Sequence, residues 1–302
     1  MTSESSSESS RGERRVIVHC DDIGMCHAVN LAVKELITSS PVRSGSVMVP
    51  CPWAYDFVRW LTDEKTAADS ARAGTGTADI GIHATLTSEW ATYRWRPVSP
   101  SATVSGLVDP DGFLWRDVKS VATHASAAEV RLELTAQVER ARAWGLSPTH
   151  LDTHMGTVFA TPAFLEAFLA VAAEHRLTPM LLRLSPLVRE EYARAGYPVE
   201  ALARCSEAYP GVKLDYLVQL PAAPSYAAKK EAIRQIFAGL PAGLSQVIIH
   251  PAADTPELRA IFPGWQQRVW DLQAFLDPET YRMIDDLGVR LTTWRDETVQ
   301  AQ

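Results

Sequence analysis

His150-Leu151-Asp152-Thr153-His154 decides the fold, because it completes a set of strand ends begun far upstream. The apolar run Val16-Ile17-Val18 leads into the aspartate pair Asp21-Asp22, followed by Ile23-Gly24. Asp79-Ile80-Gly81-Ile82-His83 carries a second apolar run into an imidazole, and Val247-Ile248-Ile249-His250-Pro251 a third. Acids and imidazoles therefore stand where several expected strands stop. In an α/β barrel that is the face where βα loops converge and sites are assembled. The pattern points to a metal-dependent enzyme.

Outward from these segments, strand and helix alternate. Strands are expected at 15–20, 44–49, 78–84, 148–152, 180–184, 213–219, 245–250 and 289–293. Helices are expected around 27–39, 53–62, 126–144, 161–175, 186–195, 225–240 and 277–288. Ser126 and Glu129 have capping-box spacing. Thr161-Pro162 places an N-cap before a proline suited to the first helical position. Residues 65–77 read as a polar loop and 87–120 as a long loop bearing Trp90, Trp95 and Trp115. No internal repeat is visible and no linker separates two cores, so residues 15–302 are expected to form a single α/β barrel domain.

The 302 residues and 46% hydrophobic content suit one such barrel. A net charge of −7 with scattered Lys and Arg argues against a nucleic-acid partner and a membrane-surface patch. No apolar run approaches the roughly 18 residues of a membrane helix. Residues 1–14 are rich in Ser and Glu, without the apolar stretch of a secretory signal, and are expected to form a disordered tail. Cys20, Cys26, Cys51 and Cys205 show no metal-binding spacing. They read as reduced thiols of a cytoplasmic protein, with Cys20 a buried bystander.

Asp21 and Asp22 would point apart in a strict strand, but at a strand end both can face one cavity. One can bind a cation while the other stays free as a base. The competing reading is a surface turn or helix cap, which Asp also favours. With His83 and His154, Asp22 makes an Asp/His/His set that leaves positions open for water and substrate. Asp152 suits an orienting role behind a ligating imidazole. His150 reads as a satisfied core histidine. His19 is expected out of phase with the site and His27 at a helix start, while His124 and His175 look exposed.

Cys20-Asp21-Asp22-Ile23-Gly24, Gly81-Ile82-His83 with Leu86-Thr87, the segment 150–154 and His250-Pro251, in that order, resemble the YdjC/ChbG-like carbohydrate deacetylases. The resemblance runs from about Arg15 to Asp296. It implies a distorted, TIM-like (β/α) barrel that removes acetyl groups from N-acetylated sugars. It further implies one divalent metal ion on Asp22, His83 and His154, Asp21 as base, His250 as candidate acid and Arg183 as a polar site residue. Members often continue the segment at 150–154 with further histidines; here Met155-Gly156 follow.

Magnesium or zinc, and also manganese, cobalt or nickel, suit one carboxylate and two imidazoles. Trp90, Tyr93, Trp95, Phe113 and Trp115 suit stacking on a small carbohydrate, or else closing the barrel mouth or a homodimer contact. Trp294, just past the last expected strand, joins them as a candidate substrate contact. A sugar isomerase, another metal-dependent hydrolase or a non-catalytic sugar-binding protein are the competing functions. A free base beside the ligand set counts against the last of these.

Overall fold

The computed structural model describes residues 12–63 and 77–301. Its strands are β1 (Arg14–Ile23), β2 (Ser44–Val47), β3 (Asp79–Ala84), β4 (His150–Thr153), β5 (Thr178–Pro179), β6 (Tyr216–Gln219), β7 (Gly243–Ile249) and β8 (Val289–Leu291). All pair in parallel in the order β5-β4-β3-β2-β1-β7-β6, with β8 beside the first residues of β1. Leu214 N donates to Leu181 O at 2.8 Å and Arg183 N to Leu214 O at 2.7 Å, linking the β5 side to the approach to β6. The sheet thus curls into a distorted, TIM-like barrel in a single domain.

The centre is β1, buried from Val16 through Ile23. A strand covered on both faces has no solvent side to alternate with, which is why its sequence reads as continuously apolar before the aspartates. Around the sheet, the helix Ala127–Ala143 opens with both halves of the Ser126/Glu129 capping box. The helix Pro162–Glu174 opens with Thr161 accepting from Phe164 N. Glu133, buried on the first of these helices, accepts from Val98 N and Ser99 N, both at 2.9 Å. That carboxylate fastens the long loop after β3 to the barrel wall.

The expected strand at 180–184 is instead the short pair Thr178–Pro179, followed by an isolated bridge at Leu182. Pro179 has no N–H to give the ladder. Helices at Val118–His124, Val199–Ala208, Pro256–Ile261, Trp265–Leu276 and Trp294–Gln300 add to those expected. Trp265–Leu276 is hidden in the sequence because its inward face includes Arg268 and Asp271, which interrupt the apolar period. It also starts at Gly264, without a capping side chain. Residues 1–11 of the expected tail, and 65–76 of the expected polar loop, lie outside the described residues. Glu13 is already tied in: its carbonyl accepts from Gly243 N and its carboxylate meets Arg290 Nε at 2.6 Å. No helix among the described residues is long and apolar enough to cross a membrane.

Candidate metal centre and active site

The strand ends bring Asp21, Asp22, His83, His154 and His250 to one cavity of about 620 Å³. The pairing of β1 shifts register between Cys20 and Ile23, and Asp22 takes a positive φ of 63°. This left-handed step costs a non-glycine residue roughly 1–2 kcal/mol. It turns two successive carboxylates toward the same space. Gly24, at φ 87°, completes the turn where a Cβ would lie 2.6 Å from Ala54 Cα, so only glycine fits.

Asp22 Oδ1 lies 3.3 Å from His154 Nδ1 and 3.6 Å from His83 Nε2. The two nitrogens are 3.3 Å apart. Ligand atoms sharing one ion at about 2.1 Å in a tetrahedral shell stand roughly 3.4 Å from one another. Asp22 Oδ1 is buried and has no hydrogen-bond partner among the described residues, an oxygen that a cation would satisfy. The three side chains therefore fit a divalent ion.

Each imidazole is held from behind. His83 Nδ1 donates to Asp152 Oδ1 at 2.7 Å, since a carboxylate only accepts, and this leaves the Nε2 lone pair facing Asp22. Asp152 Oδ2 in turn accepts from Ser46 Oγ at 2.7 Å and His19 Nε2 at 2.9 Å. His154 donates through Nε2 to Glu89 Oε2 at 3.0 Å, which aims Nδ1 at the same point. Asp152 thus stands behind His83, on the side of the ring away from Asp22. His19 stands behind Asp152 and supports the site indirectly.

Charge follows the same design. Burial pushes the Asp22 carboxyl up, but Arg268 and His154 outweigh it and hold the group well below the usual carboxylate range. Burial pushes the His154 imidazole down, yet Glu89 and Asp22 hold it up at about 10. His83 is raised in the same way, with Asp152 and Asp21 overcoming burial. The carboxylates thus draw positive charge to the point where the three donor atoms meet. Asp21 is different: burial pushes its carboxyl up to about 6, and its Oδ1 is buried without a hydrogen bond. Its Oδ2 lies 3.8 Å from His83 Nε2 and 3.9 Å from His250 Nε2. Burial of most of the ring pushes His250 down to about 3, so its imidazole is neutral near pH 7.

Three contributors go unmarked by the sequence reading. Glu89 stands beside Trp90 in the long loop after β3, with no motif to mark it. Arg268 Nη2 donates to Asp22 Oδ2 at 2.6 Å. Asp271 accepts from His250 N at 3.0 Å and pairs with buried Lys229 at 2.9 Å, fixing the loop that carries His250. Arg268 and Asp271 ride on the helix that breaks the apolar period.

Of the expected substrate contacts, Trp90 lines the cavity, edge-on to Phe262 at 4.8 Å. Four others stand elsewhere. Trp95 is buried, its Nε1 donating to Thr87 O, and packs behind His154. Trp115 stacks on His124 and donates to Gly106 O, which pins the loop to itself. Trp294 is fully buried, donates to Gln246 Oε1 and stacks on His150, at the opposite end of β4 from His154. Its indole finds a partner only inside the barrel, so the ring turns inward. Arg183 is half-exposed and bonds Lys213 O at 2.8 Å, outside the cavity, because the backbone at Leu182 pairs toward Leu214. His150 is buried as expected, with Nδ1 2.8 Å from Thr149 Oγ1, but it is not fully satisfied: Nε2 has no hydrogen-bond partner among the described residues. Beyond Trp90, the cavity's aromatic lining is Phe159, Tyr192, Tyr197 and Phe262.

Residues 15–286 match the profile of the YdjC-like proteins. A carbohydrate deacetylase of Thermus thermophilus is 33% identical over 287 residues, covering 94% of both chains. One of Thermoanaerobacter pseudethanolicus is 25% identical over 279 residues, covering 92% of this chain and 97% of the relative. A crystal structure from Enterococcus faecalis superposes with a TM-score of 0.74 at 20% identity, over 94% of this chain and 98% of the other, and shares its fold. With the family profile matching residues 15–286 and both relatives aligned over more than nine-tenths of the chain, the chain belongs to the YdjC-like family.

Proposed function

We propose that this protein is a metal-dependent hydrolase that removes acetyl groups from N-acetylated sugars. Asp22, His83 and His154 would hold the divalent ion. The observation that carries the reading is the unpartnered, buried Asp22 Oδ1 facing two oriented imidazole nitrogens, with a second carboxylate, Asp21, free beside it. The names of the relatives support the substrate class.

When bound, a divalent ion at these residues supplies Lewis acidity for a carbonyl and acidifies water. The chain's own groups supply the rest. Asp21 takes the proton of the attacking water at its carboxylate, a role suited to a buried group with an unused oxygen. Positioned acid–base groups typically contribute about 10²–10⁴-fold. His250, 3.9 Å from Asp21, is placed to pass that proton to the leaving amine. Trp90 and Phe262 wall the cavity with ring faces and edges that suit a sugar and exclude water. The test is acetate release from a panel of N-acetylated mono- and disaccharides, by wild-type protein and Asp21→Asn. Release by the wild type that collapses in the variant supports the reading. Silence across the panel from metal-loaded wild type excludes this substrate class.

A further inference from the structure

Arg268 departs from the usual pattern of a buried arginine. Its side chain is only 8% exposed, yet among the described residues Nη2 alone of the guanidinium nitrogens has a hydrogen-bond partner, the Oδ2 of Asp22 at 2.6 Å. Nε and Nη1 are buried without hydrogen bonds. The group rests over the Phe262 ring, 5.0 Å from its centroid. Each unmet buried donor is costly, and a purely structural arginine would be expected to satisfy more of its five donors. The backbone is equally committed: Arg268 O accepts from Ala252 N at 3.1 Å, tying the helix Trp265–Leu276 to the segment after His250.

Asp22 is constrained from both ends. Its backbone is in the left-handed region, and strained residues persist where surrounding contacts over-determine them. The terminal torsion of an aspartate is otherwise broad and two-fold, so either oxygen, or both, could face an ion. With Oδ2 taken by the guanidinium, Oδ1 alone points at His83 and His154.

We propose that Arg268 is a positioning residue that makes Asp22 a one-oxygen ligand by occupying its other oxygen. This rests on the reading of Asp22, His83 and His154 as the metal set. Arg268 sets the number of protein ligand atoms and so leaves room in the shell for water and substrate.

The experiment is Mn²⁺ binding to metal-stripped full-length protein, followed by electron paramagnetic resonance at fixed pH, with folding checked by circular dichroism. Arg268→Met should weaken binding roughly 10–100-fold, the usual effect of losing a partner behind a metal ligand. Arg268→Gln keeps one N–H for Oδ2 and should recover most of it. Folded Arg268→Met that binds within twofold of wild type would overturn the proposal. A second readout needs no variant: difference infrared spectra of ¹³C-aspartate-labelled wild type, with and without Zn²⁺. A widened separation of the carboxylate stretches, marking one-oxygen coordination, is expected; a narrowed one, marking chelation by both oxygens, overturns the proposal. Wild type that binds no Mn²⁺ overturns the metal reading itself, a result distinct from tight binding by Arg268→Met.

Discussion

Glu89 holds His154 from a loop, whereas His83 is held from inside the barrel: Glu89 Oε2 accepts from His154 Nε2 at 3.0 Å, and Glu89 begins the long segment that also places Trp90 on the cavity wall. One histidine of the proposed metal set is thus fixed by the core and the other by a carboxylate adjoining the cavity. Substitution of Glu89 should therefore affect both functions. Glu89→Ala is expected to lower metal affinity roughly 10–100-fold. Glu89→Gln retains an acceptor and should lose much less. Titration of metal-stripped protein followed by calorimetry measures both, and equal affinity for Glu89→Ala and wild type would remove Glu89 from the site.

The two aspartates should separate cleanly. Asp21→Asn is expected to keep one metal ion per chain and lose about 10²–10⁴-fold in kcat. Asp22→Ala is expected to lose the ion itself. Metal content by elemental analysis, set beside the rate of acetate release, distinguishes the two. Loss of metal in Asp21→Asn would mean that Asp21 is a ligand.

Trp294 is expected to matter for stability and not for substrate. Trp294→Ala removes a fully buried ring and leaves Gln246 Oε1 without its indole donor, at a cost of about 3–5 kcal/mol. Chemical denaturation measures that cost. Trp294→Phe should fold better and keep KM unchanged, and a raised KM in the folded variant would restore Trp294 to the substrate site.

Arg183→Ala should leave kcat and KM near wild type, because the guanidinium bonds Lys213 O outside the cavity. Steady-state kinetics decide this, and a tenfold loss of kcat/KM would place Arg183 back at the site.

What the sequence makes legible follows from how local the signal is. Asp22 and His83 stand at the ends of apolar strands and His154 directly follows β4, and parallel strands all deliver their ends to one face. The proposed metal set can therefore be read without knowing the register. Asp152 is legible for a related reason: it lies two residues before His154 on a four-residue strand. Arg268 is not legible, since nothing local marks a charged residue that faces inward from a helix 246 positions away from its partner. Trp294 misleads because position after a final strand does not fix ring direction. Hydrogen-bonding opportunity does, and Gln246 is inside. Trp95 and Trp115 mislead likewise, as their indole N–H groups are spent on carbonyls of their own loop. Composition can suggest an aromatic mouth, but it cannot say which rings are needed to hold it shut.

Metal binding should also register in stability. A ligand present at 100 times its Kd adds about 2.7 kcal/mol to a protein that binds it only when folded. Thermal unfolding of metal-stripped protein should therefore shift upward on adding the cation, and the shift should vanish in the double variant His83→Ala, His154→Ala.

The most direct test of the central claim is acetate release by chelator-stripped wild-type protein, before and after one equivalent of divalent cation is returned. The account predicts negligible release without the ion, recovery with it, and no recovery in Asp22→Ala. Full activity in protein shown by elemental analysis to hold no metal would contradict it.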